Sequence, residues 1–376
     1  MHLEFTAEQD ELRDGVRAVL ARECPISLVR EVAEKGTTPD ALWGQMVELG
    51  WPALTVPEPA GGLGMGAVEL AVVVEELGRV LAPGPFVPTL TQFAPVVAEA
   101  GSPEQQQRFL GGVAAGELTG TLALVERSGS VDAGHVSTSA TPDRDGFVLD
   151  GAKEMVVEAA TADEIVVIAR VPGTSGDDGV GAFVVPRADA GLDPVDALDP
   201  SRPVARVTLD GVRVDSDRVL GEPGPATAAA VGRAVEAAVT ALAVETVGAA
   251  QTIFDITLAY AKQREQFGAP IGSFQAIKHK FADMLVVLER ARATSYFAAL
   301  TIAENDERRA LAASTAKAAA GDCAALLAKE GIQIHGGIGY TWEHDMHLYV
   351  RRVKSSALLF GNAAQHRARV ADLIGL

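Results

Sequence analysis

The stretch ATAAAVGRAVEAAVTALAVETVGAAQTIFDITLAYAKQREQ, residues 226–266, is the strongest constraint on the fold. It is long and rich in alanine, the best helix former. A second helical stretch starts at SFQ, with Ser273 as its expected cap. That stretch carries Phe274, Ile277, Phe281, Met284 and Leu288 on one stripe. A third runs through RALAASTAKAAAGDCAALLAKEGIQI, and two more flank the turn LFGNAAQ, residues 359–365. Four or more long helices with short links predict an antiparallel bundle. Hydrophobic residues make up 48% of the chain but aromatics only 5%. The core must therefore be built from Ala, Val and Leu, which favours close helix packing.

The other segments change period twice. Residues 1–118 read as helical: AEQDELRDGVRAVLAREC places Leu12, Val16, Val19 and Leu20 on one face, and VELAVVVEELGRVLA does the same with Leu70, Val73, Val74 and Leu77. Ser102 followed by Pro103 marks a helix start. Residues 119–221 hold short β-branched runs (TGTLALVE, FVLDG, EIVVIARV, GAFVVP, VARVTLDGVRV) between Gly, Asp and Pro. The expected class is α+β, mostly α, in three blocks: a helical domain 1–118, a small all-β domain 119–221 and a helical bundle 222–376.

A length of 376 residues allows two or three domains. The net charge of −18 disfavours nucleic acid and anionic membrane as partners. Cys24 and Cys323 give neither a disulfide framework nor zinc spacing. The opening MHLEFTAEQDELRDG does not read as a secretion signal. No apolar run is expected to span a membrane. A soluble cytoplasmic protein is expected.

Four motifs have competing readings. GGLGMGA, residues 61–67, contains G-x-G-x-x-A, but the preceding TVPEPA holds two prolines, so a loop between helices is favoured over a dinucleotide fingerprint. EHDMH offers His344 and His347 for a metal without an obvious third ligand; a solvated helix start is favoured. REQFGAPIGSFQ, residues 264–275, is either a plain helix corner or an anion grip by Arg264 with Phe267 as cover. QIHGGIGYTWEHD, residues 333–345, is either a C-cap turn or a glycine turn whose N–H groups approach an anion, with Gln333 adding an amide.

Taken together, these motifs resemble the acyl-CoA dehydrogenase family over nearly the whole chain. FTAEQDELRDGVRAVLARE resembles its opening helix, and LWGQMVELGWPALTVPEPAGGLGMGAVELAVVVEELGR its second stretch. REQFGAPIGSFQAIKHKFADM resembles the R-x-x-F-G-x-x-I-x-x-F-Q signature, and QIHGGIGY the Q-x-x-G-G-x-G-Y signature. The resemblance implies a middle β-barrel, a C-terminal four-helix bundle, FAD and an acyl-CoA thioester. It implies a Glu that removes the α-proton while the β-hydride goes to flavin. It also implies that the R-x-x-F-G loop and the glycine turn of one subunit hold the ADP half of a neighbour's FAD. Here those cofactor-binding roles fall on Arg264, Gln266, Phe267, Phe274, Gln275, Gln333, Gly336 and Gly337, with Gln365 matching a family Gln near the flavin.

The departures concern chemistry. Where members carry a catalytic Glu in an E-G-T turn, the matching residues here are read as Gly361, Asn362 and Ala363. The alternative seat, 26 residues before the signature Arg, is Ala238. Glu236 points away from that face, and Glu245 lies about 10 Å further along the axis. The Trp-Ile-Thr strand that serves a chain's own flavin reads Met155, Val156, Val157; the T-E-P turn keeps Glu126 but has Arg127 for its proline. No catalytic residue is assigned. The expected role is the subunit without the base in a hetero-oligomeric enzyme, similar to actinobacterial dehydrogenases of steroid side-chain CoA esters. A homologous catalytic chain would be its partner in a dimer-of-dimers tetramer, and an electron-transfer flavoprotein its acceptor. The rivals are a homo-oligomer using Glu245, a flavin oxidase or monooxygenase, and a CoA-binding scaffold without activity.

Overall fold

The computed structural model describes residues 5–376; the first four residues of the opening stretch lie outside it. The chain divides into two compact units: Met1–Gly36, Ala71–Ala82 and Val239–Leu376 form the first, and Thr37–Leu70 with Pro83–Ala238 the second. The helices are α1 (Ala7–Glu23), α2 (Ile26–Lys35), α3 (Asp40–Glu48), α4 (Ala67–Arg79), the short α5 (Phe86–Pro88), α6 (Ala94–Ala100), α7 (Pro103–Gln105) and α8 (Gly111–Ala114), then α9 (Pro225–Gln263), α10 (Gln275–Ala303), α11 (Arg309–His335), α12 (Met346–Leu358) and α13 (Ala363–Leu373).

The first unit holds most of the expected C-terminal bundle together with α1, α2 and most of α4, and alanine sets the spacing of its long helices. Ala243 of α9, Ala298 of α10 and Ala312, Ala316 and Ala320 of α11 form one buried cluster. Phe281, Met284 and Leu288 are the buried part of the α10 stripe. Within this unit α4 and α9 cross with their backbones nearly touching. A Cβ at Gly78 would lie 2.2 Å from the Glu245 carbonyl oxygen, and one at Gly248 2.0 Å from that of Glu75. The expectation of no membrane-length apolar run needs correction. By length and composition α9 could cross a membrane, but 72% of its apolar window is buried, as suits a core helix.

The second unit holds the strands β1 (Gly120–Ala123), β2 (Ser139–Asp143), β3 (Gly146–Val157), β4 (Glu164–Arg170), β5 (Val180–Pro186), β6 (Gly191–Val195), β7 (Val204–Asp215) and β8 (Val219–Leu220). They join in the order β6-β7-β3-β2-β4-β5-β8, with β1 alongside β4. The hydrogen-bonded path runs from β6 to β8 with β1 branching at β4, so the expected middle β domain is built on one sheet. Strand β3 is antiparallel to β7, with bulges between Leu149 and Gly151 and between Lys153 and Val156. GGLGMGA is a loop between a 3-10 turn (Glu58–Ala60) and α4, with no strand before it.

Candidate functional site

The first loop of interest begins where α9 stops. The Arg264 N–H donates to the Tyr260 carbonyl at 2.8 Å, and the Arg264 carbonyl accepts from Ile271 N–H at 2.7 Å. Between these ties lies a hairpin of β9 (Glu265–Gln266) and β10 (Ala269–Pro270). Its two tip residues, Phe267 and Gly268, both have positive φ, +55° and +80°. That pair of angles suits a type I′ connection. The side chain of Phe267 is 95% exposed, and its ring meets Phe274 edge-on at 6.2 Å. Arg264, Gln266 and Gln275 are exposed, and Arg264 makes no ion pair among the described residues. Ser273 is not the cap of α10: its hydroxyl donates to Pro270, and Phe274 precedes the helix without a side-chain cap. The loop's own turn takes the hydroxyl that the cap would have used.

The second loop follows α11. Gly336 has φ +63° and ψ −140°, a conformation costly for any residue with a Cβ. A Cβ at Gly336 or Gly337 would meet nothing within 4 Å, so the backbone is open to approach. Gln333 is exposed beside it. Sequence reasoning passed over what ties the two loops together. Tyr260, one helical turn before Arg264, stacks on His335 at 4.5 Å and 21°. His335 was visible inside QIHGGIGY, but nothing local marks Tyr260 as its partner.

The third element is the turn 359–365. Phe360 and Gly361 carry φ of +54° and +96°. Asn362 caps α13, accepting from Ala364 and Gln365 N–H, while the Gln365 side-chain oxygen accepts from Asn362 N–H at 2.8 Å. The Gln365 carbonyl oxygen is thus part of a capping box. Buried His366 donates from Nε2 to the Phe360 carbonyl at 2.8 Å. Burial pushes its pKa down to about 4.

Glu245 pairs with Arg352 at 3.0 Å, and each side chain is 2% exposed or less. Arg352 also reaches the Leu81 carbonyl at 3.4 Å. His344 lies edge-on to His335, while His347 stacks on Trp342, so the two histidines serve different partners.

In the sheet unit, Met155 sits in the second β3 bulge at φ +55° and is 40% exposed, with Val156 and Val157 buried after it. Glu126 is buried and saturated. It accepts from the backbone and hydroxyl of both Ser137 and Thr138 and from Lys153 Nζ at 2.7 Å. Burial works to raise its pKa, but Lys153 and these bonds prevail and hold it at about 2. Ala238 is buried at 3% exposure.

Residues 6–117, 121–212 and 230–375 match the N-terminal, middle and C-terminal domains of acyl-CoA dehydrogenase. Acyl-CoA dehydrogenase IpdE2 of Mycobacterium tuberculosis is 33% identical over 354 residues, covering 94% of this chain and 92% of that protein. The chain belongs to the acyl-CoA dehydrogenase family. Among solved structures it is similar to one from the ChsE4-ChsE5 complex of Mycobacterium tuberculosis, with a TM-score of 0.90, 26% identity and full coverage of both chains. It is also similar to a Tcur3481-Tcur3483 steroid ACAD variant, with a TM-score of 0.87, 32% identity, and 98% and 97% coverage. Members of the family are oxidoreductases that act on acyl-CoA and bind FAD.

The family's E-G-T turn can now be aligned on geometry. Gly361 is the positive-φ glycine, and Asn362 holds the N-cap place that suits Thr. The Glu seat therefore falls on Phe360, one residue before the Gly361 assignment. Neither register supplies an acid.

The residues fit FAD unequally. The glycine turn and Arg264 loop present open N–H groups, a cation and uncovered aromatic surface, as an ADP group needs. The bulge at Met155 offers no hydroxyl and no aromatic wall to a flavin ring.

Proposed function

We propose that this chain is the subunit without the catalytic base in a hetero-oligomeric acyl-CoA dehydrogenase. Its Arg264 loop and Gln333–Gly337 turn complete the FAD site of a related chain that carries the Glu. In this reading Arg264 grips the pyrophosphate, and the Gly336 and Gly337 N–H groups approach it. Gln266, Gln275 and Gln333 supply amides, Phe267 and Phe274 cover the adenosine, and Gln365 lies near the flavin. FAD supplies the hydride acceptor for α,β-dehydrogenation of the thioester.

One observation carries the reading. The loops suited to a neighbour's cofactor are intact and fastened together by the Tyr260–His335 stack, while Phe360, Ala238 and Met155 occupy the seats of the base and of the flavin-bonding strand. The rival base, Glu245, is engaged by Arg352. The likeness to a ChsE4-ChsE5 complex and to a steroid ACAD supports a paired chain and a steroid side-chain CoA ester as substrate class. We extend the same reading to a dimer-of-dimers tetramer in the cytoplasm. Its acceptor would be an electron-transfer flavoprotein, and its parts the segments 1–118, 119–221 and 222–376.

Arg264→Ala in the purified complex tests this directly. Losing a charge-assisted contact to pyrophosphate should weaken FAD binding on the order of 1.5–3 kcal/mol. FAD affinity unchanged by the substitution would reduce the loop to a helix corner.

A further inference from the structure

We propose that neutral His335 is the positioning residue of the Gly336–Gly337 turn, and that its protonation loosens the turn and releases the FAD held there. The inference rests on the reading of this turn as an FAD-holding element.

His335 is 3% exposed, and every face of its ring is committed. Nδ1–H donates to the Gly331 carbonyl at 2.8 Å, one turn back in α11. Tyr260 of α9 covers one face. His344, from the loop that follows, meets it edge-on at 4.8 Å. A Cβ at Gly339 would come within 3.0 Å of the His335 Cβ, so the turn folds directly against this residue. Nε2 is buried and has no hydrogen-bond partner.

A neutral imidazole tolerates that arrangement, because a bare ring nitrogen against apolar surface loses only an acceptor. A second proton turns Nε2 into a charged donor with nothing to receive it. The titratable groups facing it are Tyr260 and His344, and neither is a carboxylate. His344 Nδ1 already accepts from Met346 N–H at 3.1 Å. Burial accordingly pushes His335 below its ordinary value of 6.5, and His344 adds to the effect.

The far end of the loop is held separately. Arg30 of α2 donates to the Trp342 and Glu343 carbonyls and pairs with Asp345. Arg351 lies over the Trp342 ring, and Glu34 accepts from its indole N–H. His347 stacks on Trp342 and burial lowers its pKa too, so acid reaches both ends. The Trp342 end has the Arg30, Arg351 and Glu34 contacts besides its histidine, whereas the glycine end, where the ADP group would sit, rests on His335.

The test follows FAD retention of the purified complex by flavin absorbance after desalting, at steps from about pH 8 to about pH 5. The wild type should lose flavin as pH falls below 6.5. His335→Phe keeps a ring on Tyr260 but cannot titrate, and should move the loss down by about one pH unit. Superimposable acid profiles for the two complexes overturn the proposal. Should the substituted chain not fold, hydrogen exchange of the Gly336–Gly339 amides in the wild type decides. Protection lost together with flavin supports it, and protection that outlasts flavin release overturns it. Arg264→Ala at neutral pH separates the two readings. Undiminished FAD there defeats the FAD-holding role itself, whereas flavin loss there with no effect of His335→Phe defeats only the role of His335.

Discussion

Lys153 is completely buried in β3 and reaches Glu126 with 2.7 Å between charged atoms. Removing one member of such a pair leaves the other charged and stranded. Lys153→Met should cost about 3 kcal/mol in a urea melt, despite its good apolar fit. The same pair sets a pH dependence. Glu126 has its ordinary value of 4.5 lowered to about 2 in the folded chain, so its contribution is complete above 4.5. That contribution is lost as pH falls from 4.5 toward 2, where the unfolded chain takes up the proton first. Urea midpoints should fall more steeply through that window in the wild type than in a Glu126→Gln chain. Glu245 is a different case at the same scale. As a base it would leave stability untouched when changed to Gln and abolish turnover. As the partner of Arg352 it should cost about 3 kcal/mol of stability, which a melt detects in the isolated chain. The sequence marked Glu245 only by its place on a helix face. Its partner lies over a hundred positions away, and no local pattern names it.

At the scale of elements, what was legible followed periodicity. The helices were read from their apolar stripes, and β1, β3, β4, β5 and β7 from their β-branched runs. Strands β2 (SATPD) and β6 (GLDPV) were not, because each contains a proline and takes its strand character from the neighbour it pairs with. The bulge that re-aims Met155 was equally invisible, since it arises from the register between β3 and β7. The α4–α9 crossing yields a sharp prediction. Gly248→Ala would drive a Cβ to 2.0 Å from the Glu75 carbonyl oxygen, and backbone cannot step aside as a side chain can. Calorimetry should show a loss of about 3 kcal/mol or a failure to fold, although alanine is the better helix former. A stability gain would mean that the crossing is loose. The Phe267 hairpin makes the opposite case. A positive φ at a non-glycine residue is paired here with a ring that is almost fully exposed and touches the edge of Phe274. It is the arrangement expected of a residue that is covered from outside.

For the whole molecule, the family was legible as a set of motifs spread over distant segments. The seat of the base illustrates how far that reading went. Motif matching placed it at Gly361, and the backbone angle and the α13 cap move it to Phe360. At either position the residue, glycine or phenylalanine, is one that cannot take a proton from carbon. A chain with no base at either seat, no hydroxyl at Met155 and intact Arg264 and Gly336 loops should hold little FAD alone. Paired with its catalytic relative, it should bring the complex to about one FAD per two chains. Flavin absorbance against chain mass, measured on the isolated chain and on the co-purified complex, gives both numbers. A homo-oligomer that keeps FAD in every chain and turns over acyl-CoA would remove the need for a partner. It would also require a proton acceptor that neither the turn at Phe360 nor the helix position at Ala238 provides.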